Sequence, residues 1–448
     1  MQRMRQMLHL LAIDPDRRAA LASWHKARWA LPIACCSEWA RSGPLVSQWL
    51  ADRGLAGVLI GQWLGRLSLE ADAVDWLAVA HVSALRAVAP AMSWTPIESL
   101  RSPDSLLEYQ RWAVSQAMCS GELPCVPGPF GKPTWFEEVK TWTCSAVGAS
   151  DASHVVSYRA TPYEVVLGVS TPRGRVYFKG FSSDRASEAS ITRALSELAP
   201  GAFPRTLALE QRSNGSVWWV TEECPGPSLA RSVTRDRAAR SGAACAHLQQ
   251  RLADYLSREN GLAMPNVDLG RLSAWGREIL RHSYQEEAIG THFTAITRAC
   301  EEVGAANVVH SLVPADLHPS NIVVTDDAVR FIDLDEAHIG PSPLAVSILV
   351  RRLARAQRSR SAHSMLRNAL YSVYERAWSS PCQMAGRWPA FEAVSALLEA
   401  YLGWTRVVRK TERGEIYGVL DLAKERTAQR LVETFSAEHS ERWDQSKR

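Results

Sequence analysis

No run of about eighteen uninterrupted apolar residues occurs in the sequence, so no membrane-spanning helix is expected. The opening residues Met1 to Ala12 carry Arg3 and Arg5, and Asp14, Asp16, Arg17 and Arg18 follow at once. That pattern lacks the apolar core of a secretion signal. The nine cysteines include no C-x-x-C pair and no Cys/His cluster at zinc spacing; odd in number and scattered, they predict reduced thiols rather than a disulfide framework. A formal charge of only +4 demands no nucleic-acid-binding arm. There is no G-x-x-x-x-G-K-[ST], which argues against a P-loop ATPase, and no repeat of fixed period. Together these absences predict a soluble cytoplasmic protein with neither a nucleic-acid nor a membrane partner. What is present is ordinary for a globular chain, 46% hydrophobic and 22% charged residues, apart from 17 tryptophans. Such residues are more often core or interface than a ligand cage.

A length of 448 residues predicts two or three domains. The sharpest break lies at 121–134, where four prolines and three glycines forbid a regular helix or central strand. We read it as a linker after an N-terminal domain of residues 1–120. Within that domain, Pro44 to Leu64 is apolar and glycine-punctuated, Ala73 to Val88 fits either an alternating or a helical pattern, and Leu106 to Met118 reads as a helix. This predicts a small α/β domain. After the linker, Trp135 to Cys144 opens a helix. Strand patterns follow at 154–158, 164–170 and 175–181, the last two flanking a turn at Thr171-Pro-Arg-Gly174. A helix at 187–198 precedes two more strands, 205–210 and 216–221, around Asn214-Gly215. Beyond Pro227 the pattern is helical, with one strand-like island at 321–334. The expected fold class is therefore α+β, with a β-rich lobe at 135–224 and a helical lobe at 225–448. That is the layout of a two-lobed kinase.

The island carries the chemistry. Asp316 is followed by Asn321 five residues later, and Asp333 stands at the end of a hairpin. Phosphoryl transfer needs one carboxylate to orient the acceptor hydroxyl and take its proton. It also needs a neutral oxygen and a second carboxylate to hold magnesium on the nucleotide phosphates. A D-x-x-x-x-N loop followed by a hairpin can supply all three.

Pro314-Ala-Asp-Leu-His-Pro-Ser-Asn321 and Phe331-Ile-Asp-Leu334 resemble the H-G-D-L-H-P-G-N and F-I-D-W motifs of the aminoglycoside phosphotransferase, or choline-kinase-like, family. The resemblance covers roughly residues 135–400. It implies that Asp316 is the catalytic base, and that Asn321 and Asp333 are metal ligands. The family's first His is Pro314 here and its Gly is Ala315. That His supports the loop, so its loss leaves chemistry possible but raises the chance of an altered site. Upstream, Arg175-Val-Tyr-Phe-Lys-Gly180 places Lys179 on a strand, as kinases place the lysine that meets the α- and β-phosphates. Glu188, in a segment similar to the family's E-x-x-x-T-R-x-L helix, is expected to hold that lysine, with Glu197 as the alternative. Tyr158-Arg-Ala-Thr-Pro-Tyr163 stands where a glycine-rich loop covers the phosphates in protein kinases. It has no glycine, so backbone amides or the Thr161 hydroxyl would serve. The backbone at Glu223 and Cys224 corresponds to the hinge that meets the adenine edge. Asp335 and Glu336 are candidates for a second metal, with helix capping or solvation the commoner role.

The resemblance implies ATP, with GTP possible, and Mg2+ as cofactors. It also implies transfer of the γ-phosphoryl group to a hydroxyl of a small molecule, an antibiotic or a biosynthetic intermediate. Two alternatives stay open: a kinase acting on Ser or Thr of a precursor peptide, and a nucleotide-binding pseudokinase. Arg351, Arg355 and Arg358 share one helix face, which is either solvated or a docking site for an anionic acceptor. The N-terminal domain is loosely similar to the Nudix fold, but no R-E-x-x-E-E helix occurs in it, so no hydrolase chemistry is expected there.

Overall fold

The run Leu8-His-Leu-Leu-Ala-Ile13 is too uniformly apolar to expose one face, as befits a strand covered on both sides. The computed structural model describes the chain except residues 1–4, 15–17, 26–27, 37–41, 69–72, 85–91, 102–105, 118–124, 133, 184–185, 259–263, 335, 357–359, 379–383, 385 and 437–448. It places the run in strand β1 (Arg5–Asp14), where Leu8, Leu10, Leu11 and Ala12 are buried. The N-terminal region continues through β2 (Ala19–His25), β3 (Arg28–Ala30), β4 (Ile33–Cys36), helix α1 (Ser42–Ala51), β5 (Ala56–Ser68), β6 (Ala73–Ala84), β7 (Ser93–Pro96) and helix α2 (Glu108–Ala117). β1 runs parallel to β6 and antiparallel to β2 and β4, and β5 lies antiparallel on the other side of β6. The segment from Ala73, ambiguous in sequence, is thus a strand between two neighbours. Its residues Trp76 to Ala80 are all buried, which erases the alternation that would have marked it.

Trp63 and Trp76 are core residues. A Cβ on Gly61 would lie 2.4 Å from the Trp63 indole, and one on Gly65 would lie 2.6 Å from the Trp76 ring. The glycines of β5 therefore leave the room these side chains fill. A short strand, Ile416–Tyr417, pairs in parallel with Gly65 and Arg66 at the outer edge of β5.

Helix α3 (Trp135–Ala146) precedes a second, antiparallel sheet: β8 (His154–Ala160), β9 (Glu164–Thr171), β10 (Gly174–Phe181), β11 (Thr206–Gln211) and β12 (Val217–Glu222), in the order β11-β12-β10-β9-β8. The β9–β10 turn needs Gly174, whose φ is +114°. Trp142 of α3 meets Phe178 and Trp218 edge-on, and the Trp135 indole N–H donates to Ile60 O of the first sheet at 3.1 Å. Gly43 of α1 packs so tightly on the Ser157 carbonyl of β8 that any Cβ would overlap it. Within the proline- and glycine-rich segment, Phe130 is buried and its N–H donates to Pro162 O at 2.9 Å. Both sheets fall in one compact unit, Met1–Ala186 with Thr206–Glu223 and Arg409–Leu420.

The second unit is Ser187–Arg205, Cys224–Val408 and Asp421–Arg448. Its helices are α4 (Ala186–Leu198), α5 (Arg235–Arg258), α6 (Leu269–Ser283), α7 (Glu286–Gly304), α8 (Pro343–Ala356), α9 (Arg360–Ala377), α10 (Trp388–Glu412) and α11 (Leu420–Thr434). Between α7 and α8 lie β13 (His310–Pro314), β14 (Ile322–Val324), β15 (Val329–Phe331) and β16 (Ala337–Pro341), paired β13–β16 and β14–β15. The expected island is the inner pair. The outer pair escaped the sequence reading because β13 and β16 are only five residues long, and each ends in a proline. The chain is α+β, with a β-rich lobe and a helical lobe, as in two-lobed kinases.

A buried amide on α5 holds the outer pair. Gln249 is fully buried, and its Nε2 donates to Leu312 O at 2.6 Å and to Ser342 O at 2.8 Å. Its Oε1 accepts from the Tyr374 hydroxyl at 2.7 Å. Leucine there keeps similar bulk but deprives three buried polar groups of a partner, each worth about 1–3 kcal/mol when none is regained. We expect Gln249→Leu to lower stability by about 2–4 kcal/mol in urea unfolding; a loss under about 0.5 kcal/mol would show that these groups find other partners.

Candidate active site

The loop after β13 is closed by its own backbone. The Ala315 N–H donates to Glu336 O at 3.1 Å, the His318 N–H to Asp316 O at 2.6 Å, and the Asn321 N–H to His318 O at 2.7 Å. The Asn321 side chain donates to the same Asp316 carbonyl at 3.1 Å, which fixes the two residues relative to each other. His318 caps the following 3-10 turn, Pro319–Asn321. Its Nδ1 accepts from the Ser320 N–H at 3.1 Å and from the Ser320 hydroxyl at 2.8 Å. The β14–β15 hairpin then returns the chain, and the Ile332 N–H donates to Asn321 O at 2.8 Å. Asp333 is therefore one residue from a backbone bond to Asn321. Its φ of +67° is left-handed, a conformation that costs a non-glycine residue about 1 kcal/mol and is typical of functional sites.

An arginine reaches the candidate base. Arg352 of α8 donates through Nη2 to Asp316 Oδ1 at 3.3 Å, while its Nε lies 2.5 Å from Glu399 Oε1 of α10. Arg351 and Arg355 meet Glu399 Oε2 at 3.3 and 3.4 Å, and the Glu399 side chain is only 7% exposed. The arginine face read from sequence is thus partly tied down, and Arg358 lies outside the described residues. Other arginines of the helical lobe bond to backbone: Arg237 to Pro227 O and Val324 O, and Arg240 to Asp326 O. Arg277 and Arg281 lie over the Phe293 ring. These four arginines therefore serve packing. Glu336 is held by Arg406 through contacts of 2.7 and 2.9 Å. Asp335 lies outside the described residues.

The remaining candidates are in the β-rich unit or at its borders. Lys179 is on β10, between Val166 of β9 and Trp219 of β12, with Nζ 5.3 Å from the centre of the Trp219 ring. The Thr161 hydroxyl closes its own turn, accepting from the Tyr163 and Glu164 N–H groups at 3.3 and 3.0 Å. Tyr163 is backed by Arg413, whose guanidinium lies 4.5 Å from the ring centre. Glu223 Oε1 lies 3.9 Å from Arg175 Nε. Glu223 ends one unit and Cys224 begins the other, so the expected hinge is where the chain passes between them. Glu188 is on α4, but its side chain lies outside the described residues; Glu197, its alternative, pairs with Arg193 at 3.5 Å.

The sequence profile of the phosphotransferase enzyme family matches residues 163–378. That span holds Lys179, Asp316, Asn321 and Asp333, and does not extend to residues 1–120. No curated protein sequence matches the chain. Among solved structures, a Ralstonia eutropha JMP134 protein assigned as an aminoglycoside phosphotransferase superposes with a TM-score of 0.50 at 14% identity, covering 70% of this chain and 98% of the other. A GDP complex of an aminoglycoside 2'-phosphotransferase-IIIa mutant gives 0.48 at 12% identity, with coverages of 67% and 99%. A choline/ethanolamine kinase family protein from Mesorhizobium loti gives 0.46 at 14%, with coverages of 63% and 89%. At 14% identity the likeness to the first of these is one of fold alone.

Burial, and after it the Arg352 guanidinium, lowers the His318 pKa below its usual value, with Asp316 opposing in part. Burial lowers His292 and His338 in the same direction. The unfolded chain therefore binds protons that the folded chain refuses. The stability these neutral imidazoles allow is complete above the ordinary histidine value of about 6.5 and is lost as pH falls from there towards the lowered folded values. We expect the unfolding midpoint to drop between pH 7.5 and 5.5, and His318→Asn, which can still cap the turn, to flatten part of that slope. Parallel slopes for the two proteins would remove His318 from this account.

Proposed function

We propose that the protein is a phosphotransferase of the aminoglycoside-phosphotransferase type. It would move the γ-phosphoryl group of ATP, or GTP, to a hydroxyl of a small molecule. The observation that carries this reading is the loop-and-hairpin arrangement that locks Asp316 to Asn321 and Asn321 to the residue before Asp333. In the reaction, the Asp316 carboxylate orients the acceptor hydroxyl and takes its proton. The acceptor oxygen bonds to the γ-phosphorus, and the bond from that phosphorus to the β-phosphate oxygen breaks. In this reading Lys179 holds the α- and β-phosphates and Glu188 serves as its ion-pair partner. The turn at Thr161 offers its amides to them, and the backbone of Glu223 and Cys224 meets the base. Residues 1–120 serve as an accessory domain without catalysis, joined by 121–134 to the lobes at 135–224 and 225–448.

Asn321, 5% exposed, and Asp333 offer hard oxygen donors of the kind magnesium takes. Among the described residues no three His, Cys, Asp or Glu side chains gather as a self-contained metal site. Magnesium commonly completes its shell with phosphate oxygens and water. When bound, such an ion neutralises charge on the transferring phosphates.

Asp316→Asn should cut acceptor-dependent transfer at least about 100-fold and leave nucleotide affinity within about twofold. Asp333→Asn should instead lose magnesium-dependent nucleotide affinity by about tenfold or more in calorimetry. Turnover in Asp316→Asn close to that of the parent would sink the assignment of the base. Nucleotide binding by the parent with no transfer to any acceptor would favour the pseudokinase alternative.

A further inference from the structure

Among the described residues, three guanidiniums beside Asp316, those of Arg351, Arg352 and Arg355, contact only two carboxylates, Glu399 and Asp316. Arg352 has both of its contacts committed, to Asp316 and to Glu399. Arg351 and Arg355 each make one long contact to the same Glu399 oxygen, and the Arg355 side chain is 57% exposed. Their common neighbour is nearly buried, so the cluster is both crowded and partly desolvated. Unbalanced charge in such a setting is unfavourable until an anion joins it.

We propose that the phosphoryl acceptor is a small anionic hydroxyl compound whose carboxylate or phosphate docks on Arg351 and Arg355 while its hydroxyl meets Asp316. This rests on Asp316 being the base. Arg351 and Arg355 lie one helical turn apart, with Cβ atoms about 6 Å from each other. Guanidinium groups at that spacing can clasp carboxylate or phosphate oxygens with charge-assisted bonds. Arg352, between them in sequence, touches the base itself. The anionic group and the reacting hydroxyl are therefore separated by only a few bonds, as in a hydroxy acid or a phosphorylated polyol. A polycation would meet repulsion at the same place.

The test uses the full chain with ATP and magnesium and a matched series: glycerol, glycerate, glycerol 3-phosphate and the polycation kanamycin. The anionic pair should exceed glycerol in kcat/KM by at least tenfold at low salt, with the gap shrinking at 0.5 M KCl. The Arg351→Gln/Arg355→Gln double variant should close the gap while leaving nucleotide affinity unchanged, and Arg355→Lys should retain most of it. Preference for kanamycin, or an anion preference that survives the double variant, overturns the proposal. If no member of the series is phosphorylated, inorganic phosphate is titrated into the chain saturated with ADP and magnesium. Binding that weakens at least fivefold in the double variant upholds the anion site and counts against the transferase reading. Binding indifferent to the variant, or none, overturns the site.

Discussion

Gln249 is buried on α5 with its side chain bonded to Leu312 of β13, to Ser342 at the start of α8 and to Tyr374 of α9, while the Ser311 hydroxyl donates to its backbone carbonyl. The candidate base lies two residues beyond β13, and the arginine that reaches it projects from α8. One neutral amide thus registers the strand carrying the carboxylate against the helix carrying its partner. Neither element can shift without exposing or orphaning polar atoms in a water-free interior, which is why the loop can be short and still hold its shape. The hairpin that delivers Asp333 is held from another side, by the Phe331 N–H donating to Ala202 O and by Phe203 packing on Phe331.

The chemistry proposed for the helical lobe follows from how it treats charge. Arg237 and Arg240 are bound to carbonyls, and Arg271, Arg277 and Arg281 lie over rings, as cations do when they serve packing. The set around Glu399 differs, because several cations share one acidic residue and one of them also contacts the candidate base. Net charge over the whole chain says nothing about this. The crowding of arginines is local, and it shows only when side chains from α8 and α10 are assembled around the loop.

The legible parts of the molecule were those encoded within a short stretch of chain. Asp316, Asn321 and Asp333 lie on one loop and one hairpin, so their spacing alone groups them, and the turns at Gly174 and Gly215 announce themselves through glycine. The Arg352–Asp316 pair is 36 residues apart, and Glu399 lies further still, on another helix. No spacing rule connects them, and the arginines alone are equally consistent with a solvated face. β13 and β16 were missed because a five-residue strand buried among helices has too little pattern to stand out. Conversely, Ala73 to Ala84 could not be told from a helix until β1 and β5 were seen on either side of it. The tryptophans became intelligible only with Gly61 and Gly65, since the vacancy left by a missing Cβ is invisible until the strand is built.

The pairing of Ile416–Tyr417 with β5 joins residues some 350 positions apart, and it bears on how the protein is made. A sheet whose outer edge is capped by residues some 350 positions later cannot be finished when its own strands have been made. Until Ile416 and Tyr417 have been synthesised, the backbone of Gly65 and Arg66 stays open to pairing with another strand. The late arrival of two residues therefore sets a window in which the nascent N-terminal sheet depends on dilution or a chaperone. Shortening the chain before Ile416 would make that window permanent.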